Sequence, residues 1–126
     1  MEIPQDLRYT KDHEWARADG NKVTIGITAF AVDQLGDITM IDLPEVGDEV
    51  KKGDHFGVVE SVKSTSDLYA PIDGKVTKIN DKLEDAPELV NEAPYGDGWI
   101  IEVEVAGPLD DLLDAAAYTA LVEKEA

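Results

Sequence analysis

Lys63 stands in a short polar stretch, Glu60-Ser61-Val62-Lys63-Ser64-Thr65-Ser66, between two runs that alternate apolar and polar residues. Gly57-Val58-Val59 leads in, and Asp67-Leu68-Tyr69-Ala70-Pro71-Ile72 leads out to the turn Asp73-Gly74. Small polar residues suit a tight chain reversal. The spacing therefore predicts a β-hairpin with the lysine at its tip. An amine on a protruding tip is clear of the sheet wall, and a modifying enzyme reaches it without unfolding anything. A long acyl arm attached there would sweep a wide radius. The ordinary alternative is a solvated turn lysine with no role at all.

The other chemically capable residues do not assemble into a centre. His13 and His55 fall in different turns, and a metal site built on them needs a third ligand that the spacing does not supply. The serines around Lys63 have no histidine base beside them in the sequence. Gly47-Asp48 and Gly53-Asp54 are not a phosphate loop, which needs its lysine directly after the glycines and opening a helix. With 28 Asp and Glu residues, no carboxylate pair stands out as catalytic. The chain has no cysteine, which removes disulfides, thiolate metal sites and thiol nucleophiles and fits a reducing compartment. No catalytic or metal residues are assigned, and the chain reads as something other than an independent enzyme.

The totals fit a small globular protein. Its 126 residues suggest a single domain over 1–126, with 43% hydrophobic and 31% charged residues. The net charge of −17 argues against nucleic acid and anionic membrane, which both need Lys and Arg to replace counterions. It favours a monomer and partners with basic docking patches. No apolar run is long enough for a membrane span. Met1 to Asp6 has neither the basic nor the apolar region of a secretory signal, and it is not an Arg-rich transit peptide.

The elements that must position Lys63 are mostly strands. Residues 14–17 and 22–27 flank Asp19-Gly20-Asn21, a hairpin turn. Residues 29–35 suit a short helix closed by Gly36. Residues 38–43 alternate as a strand that Pro44 stops, residues 47–54 form a glycine-bounded turn, and residues 56–60 return toward the lysine. Residues 75–79 and 99–105 are further strands, with a helical turn near 87–90 and a loop over 91–98 between them. Short strands at close intervals predict a mainly β small barrel or sandwich. Leu109, Leu112, Leu113, Ala116, Ala120 and Leu121 then recur at helical spacing. Pro108 suits the first helical position, Asp110, Asp111 and Asp114 its first turn and Lys124 its last. A C-terminal helix is expected from there.

Residues 59–71, Val59-Glu60-Ser61-Val62-Lys63-Ser64-Thr65-Ser66-Asp67-Leu68-Tyr69-Ala70-Pro71, resemble the lipoylation site of the glycine cleavage system H proteins. His13-Glu14-Trp15 resembles an early motif of that family. Gly26-Ile27-Thr28, Leu35-Gly36-Asp37, Pro87-Glu88-Leu89-Val90-Asn91 and Pro94-Tyr95-Gly96-Asp97-Gly98-Trp99 follow in the family's order. The resemblance spans nearly the whole chain and is weakest at the C-terminal helix.

It implies a barrel-sandwich hybrid, lipoyl-domain-like, with two small antiparallel sheets, short helices and the lysine on a hairpin. It implies lipoic acid in amide linkage to Lys63. It implies a carrier that passes the aminomethyl group of glycine from the P protein, a pyridoxal-phosphate decarboxylase, to the T protein, an aminomethyltransferase. Electrons then go to the L protein, a dihydrolipoamide dehydrogenase. A lipoate ligase or lipoyltransferase would load the arm, with Glu60 marking the site for it. Glu14 and Asp67 match acidic positions that receive the arm's cationic amine, with Asp12 beside them. Gln34 stands where some members have histidine, so a titrating group is absent there. Trp15, Tyr69 and Trp99 read as packing anchors.

Four rivals stand beside this reading, one of them a non-carrier binding module, under which every motif would need another explanation. A biotin carrier normally has methionines beside its lysine, and here the neighbours are Val62 and Ser64. A lipoyl domain of a 2-oxoacid dehydrogenase is shorter and joined to a linker. A lipoate relay protein remains as the alternative role. The compartment implied is the bacterial cytoplasm, ahead of the mitochondrial matrix.

Overall fold

The computed structural model describes residues 3–105, 109 and 111–125. Its strands are β1 (Arg8–Tyr9), β2 (Glu14–Asp19), β3 (Lys22–Ile27), β4 (Ile38–Asp42), β5 (Glu49–Val50), β6 (His55–Ser61), β7 (Thr65–Tyr69), β8 (Gly74–Ile79) and β9 (Ile101–Glu104). Its helices are α1 (Ala29–Leu35), α2 (Lys82–Asp85), α3 (Leu89–Glu92) and α4 (Ala115–Glu125). The strands form two sheets. One runs β1-β2-β3-β9-β8-β5 and the other β4-β6-β7. Every pairing is antiparallel. The mainly β, two-sheet architecture expected from the sequence is what the chain adopts.

Alternation explains why the sheets close on each other. Val23, Ile25 and Ile27 of β3, Val76 of β8 and Ile101 and Val103 of β9 are buried from one sheet. Ile38, Ile41, Val59 and Leu68 are buried from the other, and all join one apolar cluster. Period-two patterning puts these side chains on one face of each strand, and in β4 the register shift between Ile38 and Met40 brings Ile38 and Ile41 to the same face.

A second, smaller cluster forms under the C-terminal helix from Leu7, Tyr9, Trp15, Ala115 and Tyr118. The helix itself starts later than its apolar spacing suggests. Leu113 is still extended and pairs with Tyr9, with Tyr9 N–H donating to Leu113 O at 2.8 Å and Leu113 N–H to Tyr9 O at 2.9 Å. Asp114 then caps the helix, its carboxylate accepting from Ala117 N–H at 2.8 Å. Leu109, Leu112 and Leu113 are apolar because they pack from a non-helical segment, so their spacing imitated a helix. Pro108 and Asp110, assigned to the first turn from sequence, lie outside the described residues. Three smaller differences are β1, which the sequence pattern left unassigned, β5, expected as turn, and α2, expected as connection; each is short enough that pattern alone does not distinguish it.

Trp15 and Gly26 face each other across β2 and β3. The Trp15 indole is fully buried and donates to Pro94 O at 3.0 Å. A Cβ added at Gly26 would lie 2.6 Å from the ring. Gly26→Ala is therefore expected to cost about 1–3 kcal/mol through overpacking. Guanidinium unfolding followed by tryptophan fluorescence checks this, and an unchanged midpoint would contradict the close approach.

Candidate functional site

The reversal between β6 and β7 is organised by one serine. Ser61 N–H donates to Ser64 O at 2.8 Å. Its hydroxyl accepts from Lys63 N–H at 3.2 Å and Ser64 N–H at 3.1 Å, and donates to Ser64 O at 3.2 Å. The Lys63 and Ser64 N–H groups of the tip are thus satisfied locally, and the turn needs no bulky side chain. Lys63 lies at the exposed apex, as the sequence pattern predicts. Among the described residues it forms no ion pair.

The tip is also fastened from below. Val62 N–H donates to Asp37 O at 3.0 Å. Gly36, in the left-handed region at φ 79°, ends α1, and the position of its absent Cβ is 3.5 Å from Lys63 Cε. The lysine stem therefore passes over a bare backbone. Asn91 of α3 grips that backbone from the other side. Its amide donates to Gly36 O at 2.9 Å and accepts from Ile38 N–H at 2.8 Å. Sequence reasoning placed Asn91 in a motif but gave it no job. Glu60, the candidate mark for a modifying enzyme, is the penultimate residue of β6, half-buried beside the tip and paired with Thr65.

The acidic residues assemble at the opposite end of β7. A cleft of about 280 Å³ opens between the turn after β1, the end of β7 and the segment before α4. Tyr9, Thr10, Tyr69, Pro71 and Leu113 contribute to its mostly apolar walls; Asp12, Glu14 and Lys11 also line it, as does the ion pair of Lys52 with Asp111. Asp12 is exposed and Glu14 is buried. Thr10 Oγ1 donates to Glu14 Oε1 at 2.7 Å, and Tyr69 N–H approaches Oε2 at 3.4 Å. Burial dominates over these two donors and pushes the Glu14 carboxyl up to about 7, with Asp12 adding to the rise.

Asp67 is near this set without lining the cleft. Its carboxylate is 3.4 Å from His55 Nε2 and 3.5 Å from the Tyr69 hydroxyl. Tyr69 connects the two acids, its N–H toward Glu14 and its hydroxyl toward Asp67. The Asp67 charge is the main cause of a raised Tyr69 pKa, with Asp12 and Glu14 acting the same way. Gln34 is not brought into this group. It lies exposed on the last turn of α1, two residues before Gly36, and so belongs to the Lys63 end. Thr10 was missed from sequence. It lies four residues before Glu14, and nothing in its type announces that contact.

The glycine cleavage H-protein family model matches residues 7–125. This chain belongs to the glycine cleavage H-protein family. It is 58% identical to the glycine cleavage system H protein of Anaeromyxobacter sp. (strain K), over 99% of both chains. It is 56% identical to that of Symbiobacterium thermophilum, over 97% of both. A crystal structure of a glycine cleavage system H protein from Mycobacterium marinum superposes with a TM-score of 0.85 at 41% identity, covering 94% of this chain and 97% of that one. For an H-protein family member, the relevant fit is to a lipoyl group. An unpaired, exposed amine on a hairpin fastened by Ser61 and Asn91 is suited to acylation.

Glu14 makes stability depend on pH in a defined direction. Its folded pKa of about 7 is above the ordinary 4.5, so the folded chain holds a proton that the unfolded chain has released in that interval. The contribution is fully present below 4.5 and is lost as pH rises through about 7. Wild type is expected to lose roughly 3 kcal/mol between pH 4.5 and 8.5 relative to Glu14→Gln. Paired denaturant titrations at those pH values check it, and parallel pH profiles would contradict the burial of an ionisable group here.

Proposed function

We propose that this chain carries lipoic acid on Lys63 and is the mobile substrate of the glycine cleavage system. The observation that carries the proposal is the exposed, unpaired Lys63 amine at the apex of a locally fastened hairpin, in a chain matched to the H-protein family over residues 7–125. When bound, the lipoyl group supplies a disulfide that takes the aminomethyl group of glycine at the P protein, yields it at the T protein and is reoxidised at the L protein. The chain itself is a carrier rather than a catalyst, and its whole length acts as one carrier domain.

Its residues divide the work by position. Ser61, Gly36 and Asn91 hold the tip steady while leaving the amine free for a lipoate ligase or lipoyltransferase. Glu60 beside the tip offers that enzyme a carboxylate. The cleft at Glu14 and Asp12 receives the cationic end of the loaded arm. An ammonium leaving bulk water needs a charged partner, and an approaching cation favours the ionised form of Glu14. Asp12 at the rim and Asp67 on β7 extend the negative field toward the tip. Gln34, exposed on α1 two residues before Gly36, offers hydrogen bonds without titration. Tethering keeps the arm at high effective concentration at each docked partner.

The net charge of −17 suits partners with basic patches and favours a monomer. The relatives named above are bacterial, and the reading places the carrier in the cytoplasm. Among the described residues no helix is long and apolar enough to cross a membrane.

Intact mass after incubation with lipoate ligase, lipoic acid and ATP tests the attachment. A gain of one lipoyl group is expected, absent in Lys63→Arg. No gain from a ligase that modifies another acceptor would overturn it. Glycine-dependent bicarbonate exchange with purified P protein separates the glycine cleavage role from a lipoate relay or a 2-oxoacid dehydrogenase role. Exchange is expected with the lipoylated chain and not with Lys63→Arg.

A further inference from the structure

His13 is the only non-glycine residue with a positive φ, 71°, among the described residues. A side chain in that region is strained and persists only where its surroundings hold it. Here the surroundings are explicit. His13 Nδ1 is 2.8 Å from the Tyr118 hydroxyl, and Nε2 is 3.2 Å from Glu125 Oε1. The imidazole also packs on Phe30, with ring centroids 4.8 Å apart. The His13 backbone N–H donates to Thr10 O at 3.1 Å, and the His13 backbone carbonyl accepts from Thr28 N–H at 3.0 Å.

Tyr118 and Glu125 are seven residues apart on α4, two turns along one face, so a single helix face holds both ring nitrogens. Tyr118 is itself fixed. It is fully buried, stacked on Tyr9 with centroids 4.5 Å apart, and its hydroxyl is 2.7 Å from Thr28 Oγ1. Thr28 in turn caps α1 by accepting from Ala31 N–H at 3.2 Å. The next residue after His13 is Glu14. The turn from Thr10 to Glu14 closes on the Thr10 hydroxyl, which accepts from Asp12 N–H at 3.2 Å and Glu14 N–H at 3.1 Å. The backbone at His13 therefore decides how Glu14 enters β2.

We propose that His13 is a positioning residue for Glu14: the C-terminal helix, through Tyr118 and Glu125, holds the His13 backbone in the left-handed conformation that delivers the Glu14 carboxylate to the cleft. The helix thereby acts on the acidic end of the site although α4 itself contributes nothing to the cleft lining. The bearing on cargo rests on the cleft role proposed above. The positioning itself does not, and it is read in the unmodified chain, so the two can fail separately.

The test is a carbon-13 NMR titration of the Glu14 carboxyl in the full, unmodified chain. Wild type is expected to titrate near 7. Tyr118→Phe removes one oxygen and keeps the ring on Tyr9, and His13→Ala removes the ring. Both are expected to lower the midpoint by about one unit or more, as the turn relaxes and the carboxyl hydrates. Leu121→Ala, on the same helix and packed in the same cluster, is expected to lower the melting temperature and leave the Glu14 midpoint in place. A folded Tyr118→Phe with its midpoint within about 0.3 unit of wild type would overturn the proposal. So would an equal shift in Leu121→Ala, which would mark general loosening. If His13→Ala does not fold, Tyr118→Phe decides alone.

Discussion

The register between β6 and β7 governs everything at the functional end of the chain. Val59 faces Ser66 and Glu60 faces Thr65, which leaves Val62, Lys63 and Ser64 to make the reversal. Because side chains alternate with a period of two, a slip by one residue would turn Val59 and Leu68 out of the core and move the lysine off the apex. The core prevents that slip, since both residues are almost fully buried. The same pairing runs back to a bulge between His55 and Gly57, where β4 comes close enough that a Cβ at Gly57 would collide with Asp42 O. Apolar burial in the sandwich thus sets the position of a polar tip that touches none of it.

Charge is used in two ways along the chain. Most of the 28 acids are solvated and shape only the long-range field. Glu14 differs because burial, more than any neighbouring charge, sets its proton affinity. A buried carboxyl with two donors in reach is costly to ionise and easy to satisfy when a cation arrives. The exposed pair His55 and Asp67, each about half accessible, lies in water and contributes little to stability by comparison.

The hairpin, the sheets and α1 were legible because each has a local signature: period-two alternation, glycine at a left-handed position, or a turn dipeptide. Lys63 was legible for the same reason, since small polar residues on both sides announce a reversal. The start of α4 was not, because Leu112 and Leu113 are apolar for a packing reason unrelated to helix. Thr10, Asn91 and the Tyr118 hydroxyl were invisible for a deeper reason. Their partners lie 4, 53 to 55 and 90 to 105 residues away, and nothing in a threonine, asparagine or tyrosine names its acceptor. The assembly of Asp12, Glu14 and Tyr69 likewise depends on β2 and β7 meeting across two sheets.

Asn91 has a consequence on the timescale of protein ageing. Its side chain donates to one backbone group and accepts from another, a combination that a carboxylate does not supply at neutral pH. Spontaneous hydrolysis of that amide to a carboxylate keeps the acceptor for Ile38 N–H but sets a negative oxygen against the Gly36 carbonyl. The floor beneath the lysine stem would then loosen with no change in chain length and a mass change of about one dalton. Old molecules would differ from new ones directly beneath the lysine proposed to bear the arm.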